Sequence, residues 1–170
     1  MPSAQYRGVR TIRKVTEAEV LDCFWQAELA PTSRWTTAEV EERKRTWRER
    51  AGLFLGFPHD VDWERVALTP DEVLGILYIN WGWWLKVTNG TRLATVAAVV
   101  QGRDDGDRAI AAAVDTNPEL IVVADQAHSR LVLLEGHVRL TAYAAFPEYL
   151  PAELELYLGT SPAIADWSEF

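Results

Sequence analysis

Glu135, Gly136, His137 and Arg139 lie within five residues of one another, and their types suit the handling of an anion. The apolar run Leu131-Val132-Leu133-Leu134 ahead of them reads as a strand, and the chain from Val138 onward reads as a helix. A strand that turns at a glycine into a helix leaves backbone N–H groups, and the positive end of the helix dipole, facing outward from the strand end. A phosphate or carboxylate is the natural occupant of such a place. Arg139, in the first helical turn, adds a fixed charge and a fork of donors. His137 can donate a hydrogen bond, Thr141 supplies a hydroxyl one turn on, and Glu135 can act as a base or hold Mg²⁺. The same letters also fit a tight strand-to-helix connection whose His and Arg are only solvated.

A second glycine turn, Asn89-Gly90-Thr91-Arg92, reads in the same way, with Leu93, Val96, Ala97 and Val100 marking a helix after it. Two glycine-to-helix turns, each with an early arginine, suit a polyphosphate held between two helix starts, with Thr91 and Arg92 reaching it from this side. Thr91 acting only as a helix cap is the plainer alternative. The tryptophans before this turn, Trp81, Trp83 and Trp84, can wall a nucleobase or pack into the core. If the segment is extended, Trp83 has the opposite phase to Trp84 and becomes the ring that faces a cofactor. His59, Asp60, Asp62 and His128 read as surface groups.

The string Glu135-Gly136-His137-Val138-Arg139-Leu140-Thr141-Ala142 resembles the (D/E)-G-H-x-R-L-x-A signature of the ParB/sulfiredoxin-like superfamily. Ahead of it, Asn117-Pro118-Glu119-Leu120-Ile121-Val122-Val123-Ala124-Asp125 resembles the P-I-x-V strand that the family places one hairpin earlier. The resemblance covers residues 117 to 158 and is nearest to the free-serine kinases of the superfamily. It implies a nucleotide-phosphate site at the 135–139 turn, with ATP or another nucleoside triphosphate and Mg²⁺ as cofactors. The DNA-partitioning branch carries a G-E-R-R-type turn where this chain has Gly136-His137-Val138-Arg139, and no helix-turn-helix is expected after the motif helix. Sulfiredoxin chemistry needs a cysteine at the motif, where His137 stands instead.

Composition narrows the classes. The chain has 170 residues, 48% hydrophobic and 25% charged, which is ordinary for one globular domain. Its net charge of −8 disfavours a nucleic-acid partner, which needs a basic face. Cys23, the single cysteine, can form no internal disulfide and reads as core. No apolar run approaches the ~20 residues that span a bilayer. With no secretory pattern at the N-terminus, a cytoplasmic location and no membrane partner are expected.

The elements that must carry the site follow from caps and periodicity. A strand is expected at 8–15, a helix from the capping box Thr16-Glu17-Ala18-Glu19 to Ala30-Pro31, and a second helix from Thr36 to about Ala51, each opened by a Thr followed three residues later by Glu. A strand at 61–68 precedes a helix from Thr69-Pro70-Asp71-Glu72 to about Tyr78. Helices are expected from Leu93 and from Asp105, then a hairpin of strands at 119–124 and 130–135, a helix at 138–145 and a strand at 154–158. The class expected is α+β, a small mixed sheet surrounded by helices, and the resemblance implies that it is of ParB/sulfiredoxin-like type. Residues 1–60 are expected as a helical extension packed on a core domain of 61–170. The function expected is a nucleotide-binding phosphotransferase or nucleotidase acting on a small hydroxyl-bearing metabolite. The alternative is a non-catalytic nucleotide-sensing or nucleic-acid-associated module.

Overall fold

A computed structural model describes residues 6, 8–29, 36–43, 52–94 and 119–170. Its centre is a five-stranded mixed sheet: β1 (Arg10–Lys14), β2 (Asp62–Leu68), β3 (Ile121–Ala124), β4 (Leu131–Glu135) and β5 (Leu154–Thr160), in the order β1-β2-β5-β3-β4. Only β3 and β5 run parallel, with Ile121 opposite Tyr157; the other pairs are antiparallel. The helices are α1 (Glu17–Leu29), α2 (Thr37–Arg43), α3 (Pro70–Leu74), α4 (Gly82–Val87) and α5 (His137–Ala145). The coarse α+β expectation therefore holds.

Both faces of the sheet are covered, which explains the near-continuous apolar runs of β3 and β4. On one face, Val20, Leu21, Phe24 and Trp25 of α1 join Phe54, Phe57, Ile164, Trp167 and Phe170 over Trp63, Ile121, Val123, Val132 and Leu134. On the other, Val73, Ile76, Tyr78, Leu140 and Tyr143 cover Val66, Leu68, Val122, Leu131, Leu133, Leu156 and Leu158. Residues beyond β5 carry no strong periodicity, yet their Ile164, Trp167 and Phe170 close the first core.

Local signals and tertiary contacts compete at several places. At Thr16 only half of the capping box forms. The Glu19 N–H donates to Thr16 Oγ1 (3.2 Å), but the Glu19 carboxylate turns to Arg13 (2.5 Å). Thr36 and Glu39 cap each other, and so do Thr69 and Glu72. The α3 helix stops at Leu74 rather than near Tyr78. Gly75 caps it, and Leu77 then pairs with β4, donating to the Leu131 carbonyl and accepting from Leu133 N–H, both at 2.9 Å. Two ladder bonds to a buried strand outcompete one more helical turn. The expected helices after Leu93 and at 105–114, and the far end of the helix opened at Thr36, lie outside the described residues. Among the described residues no helix is long and apolar enough to cross a membrane.

Candidate functional site

β4 ends at Glu135, opposite Ile121, and the chain turns at Gly136 with φ +98°. Only glycine fits here for two reasons. The φ is left-handed, and a Cβ would collide with the Leu120 side chain while standing 3.4 Å from the Glu119 carbonyl oxygen. The Leu140 N–H closes the first turn of α5 on the Gly136 carbonyl at 2.8 Å. The N–H groups of His137, Val138 and Arg139 stand ahead of that bond, at the start of the helix.

Arg139 is 8% exposed and donates through Nη1 to the Glu119 carbonyl. Burial pulls its guanidinium down from the usual value, while Tyr143, Glu135, Glu119 and Cys23 act in the other direction. Its first commitment is thus to the entry of β3, which it pins to the start of α5. The Glu119 carboxylate is gripped by both terminal nitrogens of Arg65, each at 3.0 Å, and Arg65 Nε reaches Glu155 at 2.9 Å. These hydrogen bonds, Glu119 first, raise the Arg65 pKa against its partial burial. The Arg65 guanidinium also stands 5.1 Å from the Tyr157 ring centre, and the Tyr157 hydroxyl donates to Glu19 at 3.1 Å. A band of alternating charge therefore runs from α1 across the sheet to the turn. Cys23 borders it, but its thiol is pushed up to about 12, by burial first and then by Glu119 and Glu135. It stays protonated at neutral pH, which suits core rather than nucleophilic duty.

On the opposite side the turn is walled by rings. The His137 imidazole stacks on Trp84 with centroids 4.7 Å apart and planes 18° apart. Tyr78 lies 5.6 Å from His137 and 4.8 Å from Trp84. The Tyr78 hydroxyl is hydrogen-bonded to Thr141 Oγ1, and Thr141 donates to the His137 carbonyl at 2.6 Å. Thr141 is buried, with its hydroxyl engaged inside the protein.

Of the residues expected to form the site, Glu135, Gly136, His137 and Arg139 come together at the turn. Thr91, Arg92 and Trp83 are placed differently. The 89–92 turn follows α4 instead of opening a helix among the described residues: Gly90 N–H bonds the Leu85 carbonyl (2.8 Å) and Thr91 N–H the Thr88 carbonyl (3.1 Å). Carbonyls gather at a helix end, so the local polarity is the reverse of a phosphate cradle. Thr91 Oγ1 donates to the Thr88 carbonyl at 2.8 Å. Arg92 donates to the carbonyls of Tyr78 (2.8 Å), Phe170 (2.8 Å) and Glu169 (3.3 Å), tying 167–170 to the sheet edge. Segment 82–87 is helical, not extended, which cancels the phase argument for Trp83. That ring is 52% exposed, and Trp84 is the one that meets the turn.

Sequence reasoning weighed Trp84 as a wall or core ring but favoured Trp83, and it missed Tyr78, Glu119 and Arg65. The spacing Trp84–Thr88 gave a faint helical signal for Trp84. Tyr78 reaches the site only because Leu77 pairs with Val132, a contact with no local signature. Among the described residues no group of three His, Cys, Asp or Glu side chains could hold a metal ion. Comparison of the chain with models of protein families, with curated proteins and with solved structures finds no match.

Proposed function

We propose that the protein binds a nucleotide with its phosphates at the start of α5 and transfers a phosphoryl group to a small hydroxyl-bearing metabolite, in the manner of the ParB/sulfiredoxin-like kinases its motif resembles. One observation carries the reading: a left-handed glycine delivers β4 into α5 so that three helix-start N–H groups, Arg139 and Glu135 share one corner. The N–H groups of His137, Val138 and Arg139 hold phosphate oxygens, and Arg139 balances their charge. Glu135 takes the proton of the acceptor hydroxyl. The bound nucleotide supplies the transferable phosphoryl group. Mg²⁺ would need only one or two carboxylates besides phosphate oxygens, and holding it is the alternative role for Glu135. A cytoplasmic setting, where nucleotides are abundant, goes with this reading.

A second reading, a nucleotide-sensing module without turnover, draws support from the bond between Arg139 and the Glu119 carbonyl. An arginine spent on fixing the fold suits binding better than transition-state stabilisation. Thermal shift with ATP, ADP, CTP and GTP, with and without Mg²⁺, tests the shared part. A ligand at ~100 times its dissociation constant stabilises the fold by about 2.7 kcal/mol. The expected result is a shift for one nucleotide that Arg139→Ala loses; no shift for any of them sinks both readings. Glu135→Gln then separates them. A kinase loses turnover and keeps affinity, whereas a sensor has no turnover to lose.

A further inference from the structure

We draw no further inference here: the strongest candidate, the exposed strand β1 at the edge of the sheet, carries nothing because Arg10, Arg13 and Lys14 already face Glu153, Glu19 and Glu64 in ion pairs and nothing in the structure shows what covers it.

Discussion

Gly90 and Gly136 both adopt left-handed φ, +79° and +98°, and each is followed within three residues by an arginine. Gly90 comes after α4 and Gly136 before α5. The first turn gathers the carbonyls of the α4 end, and Arg92 reaches away from it to donate to the carbonyls of Tyr78, Phe170 and Glu169. The second presents N–H groups, with Arg139 anchored beside them on the Glu119 carbonyl. Among the described residues, similar letters thus give opposite electrostatics, and what differs is the side of the glycine on which the described helix lies. A glycine–arginine pair locates a corner without giving its sign.

The largest expected effect that would sharpen this contrast is steric. Alanine at either glycine meets the left-handed penalty of about 1–2 kcal/mol. At Gly90 the described residues, chain neighbours aside, place no atom within 4 Å of the added Cβ, so Gly90→Ala should cost that and little more. At Gly136 the Cβ also meets Leu120, which is fully buried and cannot move away freely. Overpacking adds about 1–3 kcal/mol, for a total of about 2–5. Urea denaturation of both variants measures the difference, and equal losses would break the claim that packing as well as φ selects glycine at 136.

The arginines give the next effect. Arg92→Ala removes the donors to three backbone carbonyls and should cost about 1–3 kcal/mol, with faster amide exchange across 167–170. It should leave nucleotide affinity unchanged, whereas Arg139→Ala should abolish it. A ligand shift that survives Arg139→Ala and vanishes in Arg92→Ala would reverse the assignment of the two turns.

How far the sequence disclosed these turns depends on the reach of the forces involved. β2, β5 and the β3–β4 hairpin were legible because buried strands are continuously apolar or alternate over a few residues. The start of α3 was legible because Thr69 and Glu72 cap each other locally. The 135–139 corner was legible for the same reason, since strand, glycine and helix are neighbours in sequence. The end of α3 was not, because the pairing of Leu77 with Val132 links residues far apart in the chain. Arg92 misled for a related reason. Its partners Glu169 and Phe170 are brought to it by packing of Trp167 and Phe170 into the core and by the Asn80 N–H bond to the Glu169 carbonyl. The ring wall at His137 needed the helical phase of α4, which a tryptophan-rich stretch of six residues does not declare.

Tyr78 touches both turns, so it offers the finest test of whether they are separate. Its carbonyl accepts from Arg92 Nε, and its hydroxyl meets Thr141 in α5. Tyr78→Phe removes the second contact and keeps the first, and Thr141 retains the His137 carbonyl as a partner. The cost should be small, about 0.5–1.5 kcal/mol at pH 7. Burial pushes the Tyr78 phenol up to about 12, against a weaker opposing effect of the Thr141 hydrogen bond. The folded state then keeps its proton where the unfolded chain, titrating near 10.0, has lost it. This stabilisation is complete below pH 10 and is lost as pH rises towards 12. The deficit of Tyr78→Phe should therefore narrow across that window, as measured by denaturation at pH 8, 10 and 11. Amide exchange supplies the other half of the test. Protection should fall in the first turn of α5 and hold at 167–170, since the backbone contact to Arg92 is untouched. An equal fall at both places would mean that the two turns open as one unit, and the contrast between them would then be one of polarity alone.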